Sequence, residues 1–165
     1  YNKKMKKIFY LPILLVLLIK ITACAGYKPI FNSPNLEFKI ADYSISGDTK
    51  LANKIYSKLY NLTQTNRQSS SAKNLYVLIN VQKEKKPTAK SSDGKILGYR
   101  INLSTTITIE DIMTGNEILN ESFALSTTYK VQSQFSETIK LENQSTENLI
   151  NNTYENLLLK LSENI

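Results

Sequence analysis

Few residues in this chain could do chemistry, and Cys24 is the most distinctive of them. The 165 residues contain one cysteine and no histidine. Without histidine, the Ser-His and Cys-His arrangements lack their general base. A lone cysteine forms no internal disulfide, and a thiolate metal site needs several Cys or His ligands. Neighbouring carboxylates at Glu110 and Asp111 point to opposite faces of a strand. The residue types therefore predict a protein that is not an enzyme and has no metal or other cofactor.

Residues 1–23 have the order of a secretory signal. A basic region of lysines precedes an apolar run over residues 8–19, which is followed by small residues. That run is too short for an ordinary transmembrane helix, which needs about 20 apolar residues. Met5 is the expected start, because it is the first methionine. A membrane anchor that is never cleaved is the alternative interpretation.

Cys24 ends the segment Ile21-Thr22-Ala23-Cys24, which resembles the bacterial lipobox. In that motif the cysteine sulfur receives a diacylglycerol, and the cysteine becomes the mature N-terminus. Several acyl chains together hold a protein firmly on a membrane, whereas one chain anchors it only marginally. Ala25 is not the aspartate that favours retention in the inner membrane. We therefore expect a lipid anchor at Cys24 on the periplasmic face of the outer membrane.

The charge of the mature chain is small. The signal contains five lysines and no acid, which leaves a formal +2 of the +7 of the whole chain. Residues 24–100 carry the basic excess and residues 101–165 are acidic overall. This asymmetry predicts a basic face or loop and gives no support for a nucleic-acid partner.

The hydrophobic periodicity predicts four strands and two helices. Alternation indicates strands, and apolar residues three or four apart indicate helices, the first of which begins at Asp48 or Thr49. The predicted strands lie at 36–40, 75–81, 99–109 and 119–129, and the helices at 49–62 and 134–165. Residues 83–95 read as a charged turn. We expect an α+β two-layer sandwich, β-α-β-β-β-α, with a four-stranded mixed sheet and two helices on one face.

The tether Gly26-Tyr27-Lys28-Pro29-Ile30-Phe31, the Gly47-Asp48 step and the long final helix carry a family resemblance. Together with the lipobox, they resemble the LPS-assembly lipoprotein family (LptE, rare lipoprotein B), apart from the extra Ala25. The resemblance implies residues 1–23 as signal peptide, 24–34 as acylated tether and 35–165 as one domain. It also implies a one-to-one plug in the outer-membrane β-barrel LptD that helps this barrel assemble. Together the two proteins would deliver lipopolysaccharide to the outer leaflet.

Two sets of polar residues are candidate binding surfaces. The first is the polar, solvent-facing side of the third strand, from Arg100 to Thr108, which could pack against a barrel. The second is the basic stretch 83–100, in which cations could bind the phosphates of lipopolysaccharide (Lys83, Lys85, Lys86, Lys95 and Arg100). The alternative for that stretch is a solvated loop with no ligand.

A second function class stays open at this point. A lipoprotein with no catalytic set could also be an auxiliary or substrate-binding component of a transporter, facing the periplasm. Such a protein would be a monomer that binds a small molecule, whereas the plug would co-purify with a barrel.

Overall fold

Alternating and helical segments of the sequence form the six elements in the predicted order. The computed structural model describes residues 38–65 and 72–164. The strands are β1 Phe38–Gly47, β2 Lys73–Lys90, β3 Ile96–Asp111 and β4 Glu117–Lys130, and the helices are α1 Thr49–Thr65 and α2 Phe135–Asn164. The predicted α+β fold, β-α-β-β-β-α, is confirmed. Cys24, the signal and the tether lie outside the described residues.

The four strands form one mixed sheet in the order β1-β2-β3-β4. β1 runs parallel to β2, with α1 as the connection between them, and the other two pairs are antiparallel. A β-bulge interrupts β1 between Ile40 and Asp42. β1 reaches only as far as Val81 on β2. Among the described strands, the distal half of β2 therefore pairs with β3 alone.

The turn before α1 depends on Gly47 and Asp48. Gly47 has a φ of +76°, a conformation that glycine adopts without steric cost. An added Cβ there would lie 2.1 Å from the Val81 carbonyl oxygen. The Leu51 N–H then donates to Asp48 Oδ1 over 3.1 Å, which makes Asp48 the N-cap of α1. The predicted start of the helix is confirmed.

The core lies between one face of the sheet and the two helices. Odd-numbered residues from Leu75 to Val81 on β2 and from Ile101 to Ile109 on β3 are buried there, as their alternation predicts. Together with apolar residues of both helices they form one cluster, whose largest fully buried members include Ile55, Leu59, Val77, Ile107, Ile109, Ile150 and Leu157. Both helices therefore stabilise the same face of the sheet.

The first half of α2 is helical although its sequence is polar. Three buried threonines on this helix satisfy their hydroxyls by donating to the carbonyl four residues earlier (Thr138, Thr146 and Thr153, at 3.4, 2.8 and 2.9 Å). Because these bonds are internal to the helix, the threonine methyl groups can face the sheet at little cost. Neither described helix is long and apolar enough to span a bilayer.

The prediction that residues 83–95 form a charged turn is wrong for most of the segment. β2 continues to Lys90, and only residues 91–95 turn. Lys83 is opposite Leu103 and Lys86 is opposite Arg100 in an antiparallel ladder with β3. Lysines occupy both odd and even positions here, so they lie on both faces of the strand. The alternation of apolar and polar residues that indicates a strand is therefore missing from the sequence. Pro87 is tolerated because no described strand pairs with this part of β2 on its β1 side.

Candidate functional site: an open polar sheet face and a basic strand end

The outer face of the sheet is polar over β3 and β4. The prediction that Arg100 to Thr108 form a solvent-facing polar face is confirmed, and their partners on β4 are short side chains that are polar apart from Ala124. Thr106 Oγ1 and Ser122 Oγ lie 3.0 Å apart across the strand pair. Most of these side chains are exposed, and the described helices pack on the opposite face (Arg100, Asn102, Ser104, Thr106, Thr108, Asn120, Ser122, Ala124, Ser126, Thr128).

Such a face is suited to docking rather than to catalysis. Hydroxyl and amide groups both donate and accept hydrogen bonds, and short side chains lose little conformational entropy when they are covered. Leu78 adds an exposed apolar contact on β2, opposite Thr108. The sequence analysis did not identify Leu78. The buried residues of this strand are odd-numbered, so an apolar residue at an even position indicates an exposed apolar side chain.

The five predicted lipopolysaccharide-binding cations do not form one cluster. Because side chains alternate along β2, Lys83 and Lys85 point to the helix side and Lys86 to the outer face. Arg100 lies opposite Lys86 on the outer face, and Lys95 lies in the turn, 3.2 Å from Asp93. Only Lys86 and Arg100 share a face and a register position.

On the helix side, Glu142 of α2 binds the two lysines. Lys83 Nζ is 3.2 Å from Glu142 Oε1, and Lys85 Nζ is 2.5 Å from Oε2. The Tyr129 hydroxyl donates to Oε2 over 2.8 Å. Lys85 Nζ also lies 4.2 Å from the centre of the Tyr99 ring, a cation–π contact. These contacts hold the start of α2 against the distal ends of β2 and β4.

The electrostatics of this cluster are those of a structural ion pair. Burial raises the pKa of Glu142, but hydrogen bonds from Lys85, Tyr129 and Lys83 outweigh it and lower that pKa to about 2. For Lys85, burial by itself would lower the pKa. The hydrogen bond that Lys85 donates to Glu142 outweighs the effect of burial, and the pKa of Lys85 is raised. The prediction that Lys83 and Lys85 lie in an exposed loop is wrong. The sequence pattern could not indicate their contact with Glu142, which lies 57 residues beyond Lys85 in the chain.

On the outer face, Lys86 and Arg100 are like charges in directly opposed positions. Lys86 Nζ is 2.8 Å from Glu84 Oε1, and hydrogen bonds from Lys86 and Asn102 lower the pKa of Glu84. Arg100 has no hydrogen bond or ion pair through its side chain with any residue of the described ranges. Like charges directly opposite one another destabilise a sheet. The Arg100 guanidinium, which is unpaired within those ranges, can therefore bind an anion, and the fork of N–H donors suits phosphate.

Asp111 shapes the turn that follows β3. Asp111 Oδ1 accepts the Met113 and Thr114 N–H groups, at 2.8 and 3.3 Å, and so shapes the turn between β3 and β4. Within the described residues, no group of three Asp, Glu, Cys or His side chains could hold a metal ion.

Solved structures of bacterial lipoproteins have a fold similar to that of this chain. Rare lipoprotein B from Shewanella oneidensis matches with 11% identity and a TM-score of 0.52, covering 74% of this chain and 94% of its own. A minor lipoprotein from Acinetobacter baumannii matches with 17% identity and a TM-score of 0.53, covering 77% and 94%. No family model and no curated protein matches the sequence. The likeness expected from the tether and the element order is thus confirmed as a shared fold.

Proposed function

We propose that this chain is an outer-membrane lipoprotein that plugs an LptD-type β-barrel and assists delivery of lipopolysaccharide to the outer leaflet. The polar outer face of β3 and β4, on which no described helix packs, is the observation that carries the proposal. The shared fold with rare lipoprotein B supports it, as does the lipobox that ends at Cys24. The anchor at Cys24 would keep the domain at the periplasmic side of the membrane.

A plug needs a rigid body with a polar surface, because the lumen of a large membrane barrel is polar. The sheet supplies the rigidity: β2, β3 and β4 are paired over most of their length. The outer face supplies the surface, since its serines, threonines and amides can pair with donors and acceptors of the lumen wall. The core-facing side is already covered by α1 and α2. The outer face is therefore the part of the domain that a barrel would contact.

The contact with lipopolysaccharide is assigned to the outer cations rather than to the whole basic stretch. Lys83 and Lys85 are held by Glu142, so an anionic lipid would have to compete with that carboxylate. Lys86, Arg100 and the exposed Lys95 are more accessible. The Arg100 guanidinium would donate two parallel hydrogen bonds to a phosphate of lipid A, whereas each lysine would attract a phosphate as a point charge. The solvated-surface alternative predicts no dependence of binding on these cations.

Co-purification tests the barrel partner. Ser104→Arg combined with Thr106→Arg places two large side chains at the centre of the outer face, where both residues are exposed. We expect barrel recovered with the tagged protein in detergent to fall about tenfold or more, because steric mismatch at a packed interface costs several times RT. Ser57→Arg, on the exposed side of α1, is the matched control and should leave recovery unchanged.

The outcomes separate the hypotheses. Undiminished recovery with the double variant would show that the outer face is not the contact. If no barrel accompanies the wild-type protein and the domain binds a small periplasmic molecule as a monomer, the transporter alternative is favoured.

Binding to purified lipopolysaccharide tests the cations. Lys86→Gln with Arg100→Gln should weaken binding several-fold at low salt, and the wild-type affinity should fall as salt rises. Lys54→Gln is the control, because Lys54 is an exposed lysine of α1 that is paired with Glu147. Equal affinities for the wild type and the double variant would favour the solvated-surface alternative.

A further inference from the structure

The turn between β3 and β4 carries two apolar side chains at its tip. Met113 is 79% exposed and Ile112 is 47% exposed. Glycine, proline and small polar residues are the usual residues of turns. A single exposed apolar side chain is ordinary on a protein surface, whereas adjacent apolar residues at the tip of a turn indicate a surface that a partner covers.

Hydrogen bonds hold this turn in a defined shape. Besides the two N–H groups that Asp111 Oδ1 accepts, the Gly115 N–H donates to the Asp111 carbonyl oxygen over 2.8 Å. The Ile112 N–H donates to the Asn74 carbonyl oxygen of β2 over 3.0 Å. Gly115 closes the turn at a φ of +69°, which glycine adopts without steric cost. The two apolar side chains are therefore presented in a fixed position.

The lipid anchor is expected to join the domain at the same end as this turn. Residues 24–37 lie between Cys24 and the first residue of β1. That residue, Phe38, pairs with the start of β2, and the next residue of β2 is Asn74, which accepts the Ile112 N–H. The segment that follows Cys24 therefore enters the domain beside the turn.

We propose that Ile112 and Met113 insert into the phospholipid headgroup region of the membrane that holds the acyl chains of Cys24. This inference rests on the anchor that the proposed function assigns to Cys24. The anchor selects lipid as the occupant, because 14 residues reach at most about 50 Å and enter the domain beside the turn. Two apolar side chains bind a bilayer weakly by themselves, but a tethered contact forms at a high effective concentration.

The contact gives the domain a fixed orientation, which an anchor at one point does not. It is compatible with a plug. β3 has 16 residues and spans about 50 Å, and a bilayer with its headgroups is about 40–45 Å thick. With the turn at the inner leaflet, Lys86 and Arg100 lie toward the opposite end of the strands. The outer face of β3 and β4 stays available to the lumen of a barrel.

Fluorescence quenching by lipids tests the contact on the acylated full chain in phospholipid vesicles. Thr114→Cys carries a thiol-reactive fluorophore beside the two apolar residues, and acylated Cys24 has no thiol to compete for the label. Ser92→Cys, in the exposed turn between β2 and β3, is the matched probe at the opposite end of the sheet. We expect lipids with a nitroxide on the acyl chain to quench the Thr114 probe several-fold more strongly than the Ser92 probe.

Two further variants show whether the apolar tip causes the quenching. Ile112→Ser with Met113→Ser should lower quenching of the Thr114 probe to the level of the Ser92 probe. Phe135→Ser is the matched control and should leave that quenching unchanged. Phe135 is also 79% exposed, but it begins α2 after β4 has ended opposite the start of β3, at the far end of the sheet. Far-UV circular dichroism checks that the variants are folded.

The outcomes separate the contact from the proposed function. Mass spectrometry first establishes whether Cys24 is acylated, and a chain without lipid overturns both the anchor and the contact. If the acylated chain shows equal quenching at Thr114 and Ser92, the contact alone is overturned and the barrel partner is unaffected. The same conclusion follows if the serine pair does not lower the quenching, or if Phe135→Ser lowers it equally.

Discussion

Glu142 is the residue whose replacement should reveal most about how the domain is held together. Glu142→Gln keeps the size of the side chain and removes its charge. Lys83 and Lys85 then lose their counter-ion while they remain partly buried, Lys85 beside the rings of Tyr99 and Tyr129. An exposed ion pair contributes only about 0.2–1 kcal/mol, whereas loss of one partner from a desolvated pair costs more.

The magnitude follows from the pKa of Glu142. The pKa falls from an ordinary 4.5 to about 2, and one pKa unit corresponds to about 1.36 kcal/mol. The folded state therefore favours the carboxylate by about 3 kcal/mol. The Glu142 side chain is 17% exposed and that of Lys85 is 34% exposed. Because water screens part of the interaction and glutamine retains some hydrogen bonds, we expect a loss of about 2 kcal/mol at pH 7.

Urea and thermal unfolding measured by far-UV circular dichroism provide the assay. A loss of about 2 kcal/mol should lower the Tm by about 6–10 °C in a domain of this size. Because the pKa is lowered in the folded state, the stabilisation is complete above about pH 4.5 and is lost as the pH falls toward about 2. The difference between wild type and Glu142→Gln should therefore disappear near pH 2.

Glu147→Gln is the matched control on the same helix. Glu147 pairs with Lys54, and both side chains are at least 40% exposed. Its replacement should cost less than about 0.5 kcal/mol. The reasoning is refuted if Glu142→Gln and Glu147→Gln are equally stable at pH 7, or if the loss caused by Glu142→Gln persists unchanged at pH 2.

Two further predictions concern stability and can be measured by urea unfolding. Gly47→Ala should cost at least about 2 kcal/mol, because its Cβ would meet the Val81 carbonyl oxygen at 2.1 Å; Gly115→Ala, also at positive φ but in open space, should cost only about 1 kcal/mol. Equal losses at the two glycines would contradict the contact. Thr105→Val should stabilise the domain by about 1 kcal/mol, because the buried Thr105 hydroxyl has no described partner. Thr153→Val, which removes a hydroxyl that is hydrogen-bonded, should give no gain, and a loss at Thr105 would show that its hydroxyl is satisfied.

The sequence by itself determined the elements that carry a strong period. Odd-numbered apolar residues from Leu75 to Val81 and from Ile101 to Ile109 identified two strands and their buried face, since side chains alternate strictly along a strand. Asp48 identified the start of α1. These features are local: each depends on residues a few positions apart. From them the order β-α-β-β-β-α and a two-layer arrangement could be predicted.

Only the tertiary structure decided where β2 ends and which partners its lysines have. Residues 83–90 look like a loop because lysine is rare in strands, and no local signal shows that Glu142 will neutralise two of them. The same pairing with β3 places Lys86 opposite Arg100, which no spacing in the sequence indicates. The position of β4 at the edge of the described sheet likewise depends on strand order. Contacts between distant segments are set by how the sheet and helices pack, and so the candidate site could be predicted only in part.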